Sequence, residues 1–230
     1  MLVTGVVATI PNASAASVAG VDVSHWQGYI NWNAARASGI EFAYIKATEG
    51  TGYLDSSFDS SYPRAYYAGV VRGAYHFALP NRSAGWVQAN YFVNNGGAWS
   101  ADNRTLPGML DIEYNPYGSV CYGMSQTSMV AWIRSFISQY HYRTGRWAVI
   151  YTTLDWWSRC TGNYGGFASN NPLFVARYAS SAGTLPRSWS FWTIWQYTSV
   201  GRVSGISGNV DRDYFNGSRA RLLALANNTR

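Results

Sequence analysis

Two acidic side chains stand two residues apart at the end of an apolar run. Asp111 and Glu113 follow Met109-Leu110 and precede the breaker Asn115-Pro116. Residues i and i+2 of a strand face the same side, so the two carboxyl groups are expected to project together. Repulsion and burial raise the pKa of one member of such a pair, which suits a general acid. An ion pair with one of the many arginines is the alternative interpretation.

Two further acids occur near the ends of the chain. Asp22 lies between two valines in Gly20–Ser24, and Asp211 lies in Asn209–Phe215. If these segments are the first and last strands of a closed barrel, they are neighbours, and four carboxylates surround one mouth. Glycoside hydrolysis uses such a cluster, with one acid protonating the leaving oxygen. Metal binding is the competing use, but the three histidines are far apart and no Asp-rich loop occurs, so no metal site is expected.

Near-continuous apolar runs recur along the chain and indicate strands that are buried on both faces. Eight strands are predicted, at Val21–Ser24, Phe42–Thr48, Val70–Ala78, Leu106–Tyr114, Trp147–Thr153, Leu173–Ala179, Phe191–Thr198 and Asn209–Phe215. Helices are predicted at Trp32–Ser38, Phe58–Ala68, Gly85–Asn94, Ser125–Tyr142 and Ser218–Ala226. This alternation predicts an α/β fold with a single distorted TIM-like (β/α) barrel of parallel strands. Fewer helices are expected in its second half, where the connections are short and rich in Gly, Ser and Pro.

Composition excludes several classes of protein. With 47% hydrophobic and 12% charged residues, the chain is not disordered, and no apolar run approaches the roughly 20 residues that span a membrane. The net charge of +6 is spread over scattered basic residues without a Lys/Arg-rich run. That pattern disfavours nucleic acid as a partner and suits an anionic wall polymer.

The first residues resemble a secretory leader. An apolar stretch over residues 2–10 is followed by small residues up to Ala15, although the usual positive start is missing. Residues 1–19 are therefore predicted to be a cropped leader, residues 20–230 the catalytic domain, and the protein secreted and extracellular. In that compartment Cys121 and Cys160 could form one disulfide, with two buried free thiols as the alternative.

Five segments, in this order, resemble the motifs of the glycoside hydrolase family 25 lysozymes, the Chalaropsis-type muramidases. They are Gly20–Gly28 (GVDVSHWQG), Tyr44–Gly50 (YIKATEG), Gly73–Phe77 (GAYHF), Leu110–Glu113 (LDIE) and Asn209–Phe215 (NVDRDYF). The resemblance runs from about residue 20 to the C-terminus. It implies a distorted β/α barrel that hydrolyses the β-1,4 bond between N-acetylmuramic acid and N-acetylglucosamine in peptidoglycan, O-acetylated wall included.

The resemblance also implies roles for individual residues. Glu113 matches the proton donor, and Asp111 matches its carboxylate partner, which orients the 2-acetamido group of the substrate. The other matched positions are Asp22 and Asp211 as further acids of the cleft, Tyr75 as a cleft tyrosine, and Cys121 and Cys160 as a disulfide found in some members. No cofactor is implied.

Aromatic residues at strand ends are further candidates for substrate binding. Tyr151, Trp195 and Tyr197 are expected to line the mouth and to stack on or hydrogen-bond sugar rings. Lys46, the single lysine, is expected to pair with Glu49, and His25 and His76 are interpreted as structural.

Two alternative functions stay open at this point. A non-catalytic wall-binding module could use the same barrel, although such a module needs no rim of carboxylates. A chitin-cleaving enzyme is the other, but Gly108 and Met109 stand where a chitinase-type run carries further acids. The expected partner is the peptidoglycan glycan strand, bound by a monomer.

Overall fold

The computed structural model describes residues 17–229, so most of the predicted leader lies outside the described residues. The strands are β1 (Val18–Val23), β2 (Phe42–Glu49), β3 (Tyr53–Leu54), β4 (Val71–Phe77), β5 (Met109–Asp111), β6 (Val149–Thr152), β7 (Leu173–Ala176), β8 (Ile194–Val203) and β9 (Ile206–Phe215). The helices are α1 (Trp32–Ala37), α2 (Phe58–Tyr67), α3 (Gly85–Phe92), α4 (Gln126–Thr144), α5 (Leu154–Thr161) and α6 (Arg219–Asn227). Among them, none has the combination of length and apolar character that crossing a bilayer requires.

Eight of the strands close into a barrel in the order β1-β9-β8-β7-β6-β5-β4-β2, with β1 also pairing with β2. The short β3 pairs with β2 outside this ring. All neighbouring pairs in the ring are parallel except those of β9, which runs antiparallel to both β1 and β8. The predicted α/β barrel is confirmed, as are its eight strands, but the expectation that all strands are parallel is wrong for β9.

The reversed direction of β9 follows from its connection to β8. Only Ser204 and Gly205 separate the two strands. A parallel crossover needs a dozen or more residues, so a two-residue connection permits only a hairpin. Gly205 has φ of +86°, and a Cβ atom there would lie 2.4 Å from the carbonyl oxygen of Asn31. Glycine therefore allows both the turn and its close approach to α1.

Strand alternation separates the interior of the barrel from the layer beneath the helices. Side chains such as Tyr44, Met109 and Phe174 fill the interior. Their neighbours along the strands, among them Ile45 and Leu110, pack outward against the helices. The rule of alternation places Asp22 and Asp111 on the inward side, above the aromatic filling.

The helices largely match the sequence pattern. The predicted helix Ser125–Tyr142 is observed as α4, with the Ser125 side chain accepting a hydrogen bond from the backbone of Ser128 and a left-handed Gly145 at its end. Helix α5 was not expected. Its Trp156 and Trp157 are fully buried and therefore belong to the core. As predicted, the connections from β7 to β8 and from β8 to β9 contain no helix.

Cys121 and Cys160 form a disulfide that joins the loop after β5 to α5. The alternative of two free thiols is wrong. The bridge closes a long loop of the chain, because the two cysteines have a sequence separation of 39. It restricts the unfolded chain and fixes the loop that follows Glu113.

Replacing both cysteines with serine is expected to lower the free energy of unfolding by about 4 kcal/mol, the loop-closure contribution for this separation. Urea unfolding of the variant and the parent measures the difference. Reduction of the parent provides the control and is expected to give the same loss. Equal midpoints for oxidised parent and variant would contradict the assignment.

Candidate active site

A polar cavity of about 260 Å³ opens at the carboxyl ends of the parallel strands. It is lined by Asp22, Ser24, Trp26, Lys46, Tyr75, Phe77, Met109, Asp111, Glu113, Tyr151, Tyr178, Gln196 and Asp211. A larger hollow of about 720 Å³ lies near α6, but its lining contains no carboxylate and no histidine. The chemistry-bearing residues thus converge at the end of the barrel where parallel βα folds place active sites.

The fold brings the four predicted acids together from three strands. Asp22 of β1 and Asp211 of β9 are direct partners in the strand register. Asp111 ends β5, and Glu113 follows it by two residues on the same side. Closure of the barrel between β1 and β9 is what joins the two ends of the chain at this site.

Burial sets the ionisation of these acids. It raises the pKa of Glu113 to about 7, assisted by the negative charge of Asp211 and opposed by Lys46. It raises the pKa of Asp211 to about 6. Burial also raises the pKa of Asp22 and of Asp111 well above the ordinary value, with repulsion from Asp211 and Glu113 respectively adding to the effect. Glu113 can therefore keep its proton up to about neutral pH and supply it to a substrate.

Lys46 is held at the edge of the acid cluster. Its ammonium group donates to Glu49 at 2.6 Å, which confirms the expected pair, and Tyr117 donates to the other oxygen of Glu49 at 2.6 Å. The ammonium group also lies 5.0 Å from the ring centre of Phe77. This positive charge lowers the pKa of Glu113 and Asp111, so it limits how far burial can raise them.

The expected aromatic residues divide into two groups. Tyr75 and Tyr151 line the cavity, and the Tyr151 hydroxyl donates to Gln196 at 2.9 Å. Trp195 and Tyr197 do not line it: Trp195 is buried and donates to the carbonyl of Arg177, and Tyr197 stacks on Tyr214. Alternation explains the difference, because the inward-facing residue of the Trp195-Gln196-Tyr197 run is Gln196.

Three residues of the site were missed by the sequence interpretation. Gln196 donates from its amide to Asp22 at 2.6 Å and accepts from the hydroxyl of Tyr178 at 2.9 Å. Trp26 is 82% exposed at the rim. It is presented by a short turn that Ser24 and Gln27 cap reciprocally. That capping pattern and the strand parity of Gln196 were the available signals.

The two histidines near the motifs have structural partners. His76 is fully buried between the side chains of Thr48 and Gln88, at 2.7 Å and 2.9 Å, and burial lowers its pKa to about 4. His25 contacts Asp55 at 2.9 Å. Neither lines the cavity of the four acids.

Known proteins resemble this chain over nearly its whole length. Lysozyme M1 of Streptomyces globisporus is 58% identical over 221 residues, which cover 96% of this chain and 75% of the relative. The N,O-diacetylmuramidase of Chalaropsis sp. is 46% identical, covering 85% of this chain and 96% of the relative. The crystal structure of the bacterial lysozyme from Streptomyces coelicolor is 58% identical and superposes with a TM-score of 0.92, covering 94% of this chain and 99% of that one.

A family model supports the same assignment. The model described as Glycosyl hydrolases family 25 matches residues 21–206, which run from within β1 to the end of β8 and include the acids Asp22, Asp111 and Glu113. The chain therefore belongs to glycosyl hydrolases family 25 and is a glycoside hydrolase of the lysozyme, or muramidase, type.

Proposed function

We propose that the protein hydrolyses the β-1,4 bond between N-acetylmuramic acid and N-acetylglucosamine in peptidoglycan, with Glu113 as the proton donor. The observation that carries the proposal is the enclosure of Glu113, with its pKa near 7, in the same cavity as Asp111, Asp22 and Asp211. A protonated acid beside carboxylates is the arrangement that cleavage of a glycosidic bond requires. The exposed ring of Trp26 offers a flat face to a sugar at the rim.

In the proposed first step, Glu113 transfers its proton to the glycosidic oxygen as the bond to the anomeric carbon breaks. The oxygen of the substrate's own 2-acetamido group forms a bond to that carbon, and Asp111 orients and polarises the acetamido group. Water then attacks the anomeric carbon, the bond to the acetamido oxygen breaks, and Glu113 takes the proton that the water loses. Asp22 and Asp211 stabilise the positive charge that develops between these steps.

We propose that O-acetylated wall is also a substrate and that the protein acts outside the cell as a monomer. The name of the Chalaropsis relative, N,O-diacetylmuramidase, supports the first point for a protein that is 46% identical. The disulfide and the leader-like first residues support action outside the cell. The net charge of +6 favours association with an anionic wall, an attraction that salt screens.

Activity is expected to fall as the pH rises through about 7, because ionisation of Glu113 removes the proton that the leaving oxygen needs. The alkaline limb of kcat/KM, measured on a soluble glycan fragment at constant ionic strength, reports this ionisation. Circular dichroism at each pH is the control for folding. A limb that stays flat to about pH 9 would contradict the role of Glu113.

Digestion of purified walls tests the proposed reaction against its alternatives. O-acetylated and de-O-acetylated peptidoglycan are incubated with the protein beside chitin oligomers, and new reducing ends are counted. We expect reducing ends from both wall preparations and few from chitin. Wall binding without new reducing ends would instead identify a binding module, and preferential release from chitin would identify a chitin-cleaving enzyme.

A further inference from the structure

A fifth acid lies beneath the four that line the cavity. Asp213 of β9 is 0% exposed, and no described residue donates a hydrogen bond to either of its carboxyl oxygens. It lies two residues beyond Asp211 on the same strand, so both side chains face the barrel interior. A buried carboxylate without a donor is costly, because it loses its hydration without compensation.

The strands packed against β9 supply no positive charge to Asp213. Its register partners are Gly20 on β1, which has no side chain, and Gln196 on β8. The titratable groups that act on it are Asp22 on β1 and Asp211 and Arg212 on its own strand. The negative charge of Asp213 also acts on Tyr197 of β8. Arg212 precedes Asp213 and lies on the opposite face of the strand, where its guanidinium lies 5.8 Å from the ring centre of Tyr197.

These surroundings favour the neutral form of Asp213. Burial raises its pKa well above the ordinary value, and repulsion by Asp22 and Asp211 raises it further against a weaker opposing effect of Arg212. A bound cation could provide neutralisation by another route, but no three acidic, cysteine or histidine side chains among residues 17–229 are arranged to hold one. A proton on the carboxyl group is the remaining route.

Asp22 is the natural acceptor for that proton's hydrogen bond. Gly20 lies opposite Asp213 in the strand register, and Asp22 is the next inward-facing residue of β1. Gln196, which lies opposite Asp213 on β8, reaches Asp22 with its amide, so both acids adjoin the same side chain. Two carboxyl groups can share a hydrogen bond only when one of them carries a proton. Gln196 donates to Asp22 at 2.6 Å and thereby favours its ionised form, whereas Asp213 has no donor of its own. Asp22 is therefore the ionised member of the pair, and Asp213 is the protonated one.

We propose that Asp213 is a positioning residue whose carboxyl group stays protonated and donates its hydrogen to Asp22, so that Asp22 keeps a fixed negative charge in the cleft. This inference rests on the proposed glycan cleavage, in which that charge faces the developing positive centre. It assigns opposite protonation states to two acids on adjacent strands.

Two substitutions separate this role from a structural one. Asp213→Asn keeps a hydrogen-bond donor but cannot ionise, so we expect kcat within about threefold of the parent and an unchanged acidic limb of the pH profile. Asp213→Leu has similar bulk but removes the donor. We expect its kcat to fall roughly tenfold or more with little change in KM, and its acidic limb to move to higher pH as Asp22 loses a hydrogen bond. Asp59→Asn, on the exposed face of α2, is the matched control and should behave as the parent.

Two kinetic results would overturn the proposal. Equal loss in the folded Asn and Leu variants would mean that Asp213 must be ionised. Parent-like kcat and pH profile in the Leu variant would mean that the residue only fills space. Carbon-13 NMR of the aspartate carboxyl groups in the parent protein tests the same point. The Asp213→Asn variant serves only to assign the Asp213 signal.

In the NMR experiment the Asp213 signal should remain at its protonated position at about pH 7. A signal already at its ionised position there would overturn the proposal even if the Leu variant failed to fold. Because this readout needs no substrate, it is separate from failure of the proposed function, which would appear as an inactive parent protein.

Discussion

Replacing Glu113 with glutamine is expected to lower the rate of wall hydrolysis by about a thousandfold. Glutamine has nearly the same shape but has no proton to give to the glycosidic oxygen, and general acid catalysis contributes about 10²–10⁴-fold. The loss should appear in kcat on a soluble glycan fragment, with KM nearly unchanged, because the amide still occupies the same space in the cleft. Glu41→Gln is the matched control, since Glu41 pairs with Arg36 and Arg219 away from the cavity and should keep full activity.

The same variant carries its own test of folding. Because the folded state raises the pKa of Glu113 to about 7, it binds this proton more tightly than the unfolded chain does. The stability that the proton contributes is present at low pH and is lost as the pH rises through about 7. Glu113→Gln avoids that loss, so it should unfold at a higher temperature than the parent near pH 8 and at a similar temperature near pH 4. Full activity in a folded variant would contradict the assignment of the proton donor.

Replacing Asp111 with asparagine is expected to lower kcat by about a hundredfold with a small change in KM. Asp111 is buried at the end of β5, and its Oδ1 atom has no partner among the described residues, so it is free to accept from a substrate. An amide in its place cannot provide the negative charge that polarises the 2-acetamido group in the transition state. Single-turnover and steady-state kinetics on the glycan fragment measure the loss.

A de-N-acetylated glycan tests the partner of Asp111 directly. If Asp111 acts through the acetamido group, the variant and the parent should differ little on a substrate that lacks this group. The loss of rate from the substitution and the loss from removing the acetyl group are then far from additive. A hundredfold difference that persists on the de-N-acetylated glycan would mean that Asp111 acts on the anomeric carbon or on Glu113 instead.

The sequence predicts those features of the site that depend on a single geometric rule. Alternation placed Asp111 and Glu113 together, and closure of a barrel joined Asp22 to Asp211, although the chain separates them by nearly its whole length. Both inferences depend only on the period of a strand and on the number of strands.

Other features depend on where a strand begins its alternation and on what packs against it. The position of Trp195 and Tyr197 at the end of a predicted strand predicts that they line the mouth. In the structure β8 starts at Ile194, which faces the interior, so alternation points Gln196 inward instead. Asp213 has the same parity as Asp211, yet only its burial without a donor distinguishes it from a surface acid. The exposure of Trp26 results from a local capped turn, and the direction of β9 from a two-residue connection.

The identity of the sugar at each new reducing end tests the central claim most directly. Purified peptidoglycan is digested with the protein, the products are reduced with borohydride, and mass spectrometry identifies the reduced residue, with Glu113→Gln as the inactive reference. The account predicts reduced N-acetylmuramic acid at every new end. Reduced N-acetylglucosamine would contradict it, because the scissile bond would then lie on the other side of the muramic acid residue.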